Sequence, residues 1–125
     1  MYAAPIEPRP LNADERAVLE HLLEADFVGA PALRAQVDRT EVVAAWGVDS
    51  VSVDLRVRGL GEDPALRSTV LPVGARVHDH RGEYIGELLV RAEGGTVLSA
   101  LEYAWVTDEM PTALPSIDRI QRTVN

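Results

Sequence analysis

The clearest alternation of apolar and polar residues lies between positions 51 and 57. The odd positions are apolar and the even positions are polar: Val51, Ser52, Val53, Asp54, Leu55, Arg56 and Val57. Successive side chains of a strand point to opposite faces. The segment therefore predicts a strand with valine and leucine in the core and with Ser52, Asp54 and Arg56 in solvent. A sheet with one wet face favours antiparallel pairing.

Two longer apolar-rich runs, residues 84–92 and 96–106, flank the tripeptide Glu93-Gly94-Gly95. Glycine accepts the positive φ that a tight reversal needs. The pattern predicts a β-hairpin. Along its second arm Leu101, Tyr103 and Trp105 share one face, while apolar residues also occupy the other face. The strand is therefore either covered on both sides, or it presents an aromatic face for binding.

Helical periodicity appears near the start of the chain. Asn12 suits an N-cap and Glu15 the third helical position. The helix should run to about residue 25 and bury the stripe Val18, Leu19, Leu22 and Leu23. Its charged residues Glu15, Arg16, Glu20 and Glu24 are predicted to face water. A second, short helix is predicted from Pro31 through about Val37.

These elements predict an α+β fold, in which two N-terminal helices pack on a four- to five-stranded, mostly antiparallel meander with a proline-containing C-terminal tail. Residues 1–11 contain three prolines and little that could pack, which indicates a flexible or extended arm. Residues 12–125 are predicted to form a single α+β domain.

Composition narrows the class of protein. The chain of 125 residues is 46% hydrophobic, has no cysteine and carries a net charge of −8. Thiolate chemistry is thereby excluded, and an acidic surface disfavours nucleic-acid binding. No apolar run approaches the ~20 residues of a membrane span. Residues 1–10 lack the pattern of a signal peptide, so we expect a cytoplasmic protein.

A candidate metal site is the sequence His78-Asp79-His80. A strand is predicted from Val73 to His80, and residues two apart on a strand share a face. Together with Glu83 or Glu87, the two imidazoles would suit one divalent metal. The alternative is a pair of exposed histidines at a turn. No cofactor is expected unless this metal binds.

A candidate partner-binding surface lies at the end of the second hairpin arm. It combines aromatic and acidic residues: Glu102, Tyr103, Trp105, Asp108 and Glu109. An exposed aromatic patch ringed by acids is typical of a protein-binding hot spot. The sequence offers no catalytic signature: no serine lies in a Gly-x-Ser-x-Gly elbow, and no glycine loop has the spacing that cradles phosphate.

Four segments resemble a group of small, uncharacterised actinobacterial proteins: FVGAPALRAQ (27–36), VSVDL (51–55), LSALEY (98–103) and TDEMP (107–111). The similarity spans Asn12 to Ile120. Many members of that group carry a cysteine-rich turn before the Val-Asp-Leu strand, whereas residues 46–50 here are WGVDS. Any metal or redox role of those cysteines would be absent. The resemblance implies a recurring compact domain and no particular activity.

The leading interpretation is a non-enzymatic interaction domain, for which we expect a basic protein partner. Its specific form would be an immunity- or antitoxin-like inhibitor that covers the cationic site of a toxin. The alternative is a metal-binding protein or metal-dependent enzyme that uses the histidine pair.

Overall fold

A computed structural model describes residues 3–61 and 65–124. Within them the chain forms, in order, β1 (Ala4–Pro10), α1 (Ala13–Leu23), α2 (Ala30–Arg34), β2 (Thr40–Ala45), β3 (Val53–Val57), β4 (Ser68–Val70), β5 (Val73–His78), β6 (Tyr84–Glu93), β7 (Val97–Trp105) and β8 (Ile120–Val124). Short 3₁₀ turns at Val37–Arg39 and Ile117–Arg119 precede β2 and β8.

All strands belong to one sheet of order β1-β2-β3-β7-β6-β5-β8, in which β4 also pairs with β6. Every pairing is antiparallel. The predicted α+β class and mostly antiparallel sheet are confirmed. The predicted four to five strands were wrong, because the described residues form eight. The two edge strands, β1 and β8, escaped prediction because their mostly exposed side chains show no alternation.

The first residues of the chain, for which a flexible or extended arm was predicted, form an extended strand in register with β2. The helices are therefore preceded by a strand. Three prolines are tolerated there because β1 is an edge strand, where a missing N–H need not break the ladder. A bidentate ion pair anchors its end: Arg9 donates to both carboxylate oxygens of Glu15 on α1, at 2.8 and 3.0 Å.

Helix α1 begins with the predicted capping box. The Glu15 N–H donates to Asn12 Oδ1 at 2.8 Å, and the Asn12 N–H donates to Glu15 Oε1 at 2.9 Å. The prediction that Glu15 faces water was wrong, since only 3% of its surface is exposed. The carboxylate is buried because Arg9 and the cap satisfy its oxygens, as a buried charge requires.

One hydrophobic cluster joins the helices to the sheet. The predicted α1 stripe Val18, Leu19, Leu22 and Leu23 is fully buried in it. From the strands it takes the inward side chains of β2, β3, β5, β6 and β7, and it also includes Leu33 of α2. The opposite face of the sheet carries ion pairs, such as Arg91 to Glu102 and Arg56 to Glu41.

The shortest strand pairing in the sheet joins β3 to β7. It has only two residue pairs, Val53 with Leu101 and Asp54 with Ala100. Two buried side chains continue the hydrogen bonding on either side of these pairs. Gln36 Oε1 accepts from the Leu98 N–H at 3.0 Å, and Ser52 Oγ accepts from the Tyr103 N–H at 2.9 Å.

Ser52 was predicted to lie in solvent, and this was wrong. Strand β3 begins at Val53, so Ser52 lies within the alternating sequence but just before the strand itself. Its side chain turns inward and accepts the hydrogen bond of the Tyr103 N–H, which lies beyond the last residue pair of the short β3–β7 ladder. Buried backbone N–H groups need such partners.

Gln36 is predicted to be essential for stability, since its amide also donates to Thr96 O at 2.7 Å. Gln36→Leu leaves the buried Leu98 N–H without an acceptor, so we expect a loss of about 2–4 kcal/mol in the free energy of unfolding. Urea denaturation measures it. The control is Gln121→Leu on exposed β8, with an expected change within ~0.5 kcal/mol. Equal effects would show that the Gln36 bridge has no special role.

A second prediction concerns the anchoring of β1. Glu15→Ala removes both the capping box and the partner of Arg9, and should lower the free energy of unfolding by about 1–3 kcal/mol. Glu20→Ala, which removes only the exposed ion pair with Arg16, should cost no more than ~0.5 kcal/mol. If both variants unfold at the same urea concentration, burial of Glu15 contributes nothing.

Candidate functional site

Strand β7 changes the face that its side chains occupy partway along its length. Ala100 pairs with Arg91 and Leu98 pairs with Ala92, so Ser99 is an extra residue that forms a β-bulge. Simple alternation placed Leu98 and Leu101 on opposite faces. The bulge instead brings both into the hydrophobic cluster, together with Tyr103.

The aromatic pair predicted on β7 is divided by the structure. Tyr103 is 3% exposed and belongs to the core, whereas Trp105, at the end of the strand, is 37% exposed. The ring of Tyr103 lies against β6 at Gly86, where an added Cβ would be 2.8 Å from Tyr103 Cε1 and 2.5 Å from the Ala104 carbonyl oxygen. Only glycine leaves room for this ring.

Beyond β7 the chain crosses the sheet to reach β8, which lies on the far side of β6 and β5. This crossing segment, residues 107–116, encloses an open groove of about 770 Å³ with Val77 of β5, Ile85 of β6 and Tyr103 of β7. We call it the Tyr103 groove. The crossing segment contributes Met110 and Leu114 to its walls, and Arg119, just before β8, also lines it.

The Tyr103 hydroxyl reaches the solvent inside this groove. Among the described residues no group accepts or donates a hydrogen bond at this oxygen. Every fully buried side-chain oxygen or nitrogen among them, however, has a hydrogen-bond partner. The oxygen is therefore accessible, and Tyr103 is one of the residues that line this groove. Burial of the ring raises the pKa of Tyr103 above the ordinary value of 10.0.

Two carboxylates form an acidic rim on the groove. Asp108 and Glu109 line it and are exposed. Within residues 3–61 and 65–124 neither forms an ion pair with a cation. The Thr107 hydroxyl donates to the Glu109 carbonyl oxygen at 2.9 Å and fixes the bend that presents them. Exposed apolar residues flank Asp108 and Glu109 in the sequence, namely Trp105 and Val106 before them and Met110 after them.

The predicted contact residues therefore do not form one surface. Asp108 and Glu109 lie at the rim with Trp105 beside them, and Tyr103 lies within the groove. Glu102 is on the opposite face of β7, where it accepts from Arg91 Nη2 at 3.1 Å. The groove residues Val77, Ile85 and Arg119 were not predicted, because no local pattern shows which distant strands the tail will cross.

The strand predicted from Val73 to His80 is present, but it ends two residues earlier than predicted. Strand β5 ends at His78, and Asp79 begins a turn in which its Oδ1 accepts from the N–H groups of Arg81 and Glu83, at 2.8 and 3.0 Å. An aspartate side chain that takes the N–H two residues on is a turn-forming device. The hydrogen bonds from Glu83 and Arg81 hold the pKa of Asp79 below its ordinary value.

The metal hypothesis gains no geometric support from this turn. His78 and His80 line one open groove of about 490 Å³ with Asp79 and Asp118, and Glu83 is exposed. However, no three or more histidine, aspartate or glutamate side chains in the described part of the chain are arranged to hold a metal ion. His78 instead makes an edge contact with the ring of Tyr84, with centroids 6.3 Å apart.

Comparison with known proteins returns no match to a family model, to a curated protein or to a solved structure. The α+β class and the groove therefore have to be interpreted from the residues themselves, and the actinobacterial resemblance stays a prediction. None of the helices among the described residues is long and apolar enough to cross a membrane.

The raised pKa of Tyr103 has a consequence for stability at alkaline pH. The fold favours the neutral phenol, so its contribution is complete below pH 10.0 and is lost as the pH rises through the raised pKa. Tyr103→Phe should therefore lose less unfolding free energy than the wild type between about pH 8 and pH 11. Urea unfolding at both values measures this.

The pKa of Tyr84 is also raised, by burial and by Glu87. Tyr84 is present in both proteins, so its contribution to the alkaline loss of stability cancels in the comparison. An identical alkaline loss in wild type and Tyr103→Phe would contradict a desolvated phenol at position 103.

Proposed function

We propose that this chain is a non-enzymatic protein-interaction domain that binds a basic partner at the Tyr103 groove and its acidic rim. The observation that carries the proposal is the pair of exposed carboxylates of Asp108 and Glu109, which the described residues leave without a cation. Beside them lie an apolar groove and an exposed tryptophan.

Several carboxylates elsewhere on the sheet and on α1 already have an arginine partner. Carboxylates on the helix and on the outer sheet face contact arginine in four ion pairs: Arg9–Glu15, Arg16–Glu20, Arg56–Glu41 and Arg91–Glu102. A carboxylate that already has an arginine partner offers little to an incoming cation. Asp108 and Glu109 have no arginine partner among the described residues and line an apolar groove, so they can attract a positive surface to it.

The apolar surroundings of the rim fit the anatomy of an interface. Trp105, Val106 and Met110 are large side chains left exposed next to the carboxylates. Aromatic and methionine side chains are enriched in interface cores, and tryptophan is prominent among energetic hot spots. A charged rim around such a centre would orient the partner and raise the association rate.

The non-enzymatic part of the proposal rests on the exposure of these acids. General acid–base catalysis usually depends on carboxyl groups whose pKa values are driven apart by burial or by close neighbours. Asp108 and Glu109 lie at an open rim in solvent. Such groups suit electrostatic attraction better than proton transfer.

An immunity- or antitoxin-like inhibitor is the specific form of this proposal. Toxins that act on nucleic acid need a cationic site for phosphate, and a small acidic protein can cover such a site. The net charge of −8 would also speed the encounter, because steering between opposite charges can raise association rates 10- to 1,000-fold.

The test reverses the rim charges. Asp108→Arg/Glu109→Arg and a matched control, Glu7→Arg/Asp26→Arg, change the net charge equally, and the control residues are exposed and distant in sequence. Each protein is used to capture partners from the native host, and metal content is measured on the same samples. We expect one basic protein retained stoichiometrically by wild type and control, and its association rate lowered at least ~10-fold by the rim variant.

Three results would contradict the proposal. The captured partner could be acidic, its association could be equally fast with the rim variant, or the two charge-reversed proteins could be equally impaired. About one divalent metal ion per chain in the purified protein would instead favour the histidine turn as the functional site.

A further inference from the structure

The Tyr103 groove combines apolar walls, an acidic rim and a hydroxyl that has no hydrogen-bond partner among the described residues. Resting on the proposed function, we propose that the groove binds a short extended segment of the basic partner. One apolar side chain of that segment enters the groove, a Lys or Arg beside it meets Asp108 and Glu109, and a backbone carbonyl accepts a hydrogen bond from Tyr103.

The size and walls of the groove fit such an occupant. A volume of about 770 Å³ lies within the range of roughly 300–1,000 Å³ typical of ligand sites. Ile85, Met110 and Leu114 give it apolar sides. An aliphatic or aromatic side chain placed between them would leave water, and this is the main source of affinity in most interfaces.

The Tyr103 hydroxyl adds a directional requirement. Tyr103 is 97% buried as a residue, yet its oxygen has no partner among the described residues and opens into the groove. An occupant that covered this oxygen without a hydrogen-bonding group would leave it unsatisfied, which is costly. An extended backbone provides carbonyl acceptors at regular intervals, whereas a purely hydrocarbon ligand provides none.

The charges of the lining residues constrain the occupant. Asp108 and Glu109 line the groove together with Arg119. The basic residue of the occupant belongs beside Asp108 and Glu109, and a neutral or acidic residue belongs beside Arg119. A second copy of this chain would fit poorly, because its own net charge is −8.

The test is a selection from a random library of 12-residue peptides displayed on phage, followed by binding measurements with the synthetic winners. We expect enriched peptides to carry an apolar residue next to Lys or Arg. Their affinity should fall about 5- to 10-fold for Tyr103→Phe, the size of one buried hydrogen bond. It should fall at least ~10-fold for Ala113→Trp, because this exposed groove residue would then occupy the space.

The charge variants separate this inference from the proposed function. Glu7→Arg/Asp26→Arg is the control and should bind the peptides within about twofold of wild type. If binding is lost only in Asp108→Arg/Glu109→Arg, while Tyr103→Phe and Ala113→Trp bind normally, no peptide enters the groove and this inference is wrong. The proposed binding of a basic partner at the acidic rim would then still hold. If no variant matters, if the winners are acidic, or if no peptide is enriched, the inference is overturned. Unchanged stability of Tyr103→Phe at neutral pH excludes a folding defect.

Discussion

The short pairing of β3 with β7 is the constraint on which the rest of the structure depends. It joins β1-β2-β3 to β7-β6-β5-β8 through only two residue pairs. Gln36 and Ser52 take the N–H groups on either side that the ladder leaves open. Because both side chains come from segments between α1 and β3, the helical layer and the sheet have to form together. The bulge at Ser99 then turns Leu98, Leu101 and Tyr103 to the same core.

The candidate site follows from how β7 ends. The next strand in the chain, β8, pairs with β5 and not with β7, so the chain must cross β6 and β5 outside the ladder. Proline and acidic residues in the crossing segment cannot pack as a strand, and they leave a groove above Tyr103. The tight fit of this ring on Gly86 holds the inner surface of the groove. The rigid sheet thus supports a segment whose charged and apolar side chains remain exposed.

The sequence predicted what local patterns encode. The capping box of α1, its apolar stripe and the β6–β7 hairpin were all correct, since each depends on neighbouring residues. Burial of Glu15 and Ser52 was missed because it depends on partners in other elements, Arg9 and Tyr103. The edge strands β1 and β8 show no alternation of apolar and polar residues, and the bulge at Ser99 shifts the alternation along β7 by one residue. The structure places Asp108 and Glu109 at the surface and Glu102 against Arg91. The sequence left the position of Trp105 open between core and surface, and the structure exposes it. His78 ends β5 and His80 lies on the turn that follows.

The account places partner recognition at one groove whose rim carries two carboxylates without an arginine partner among the described residues. Its most direct test is amide hydrogen exchange of the chain, free and bound to the basic protein captured from its host. We expect slower exchange on binding in residues 103–116 and at Ile85, with residues 78–83 unchanged. Protection centred on the 78–83 turn, on α1 or on the outer sheet face, with none in 103–116, would contradict the account.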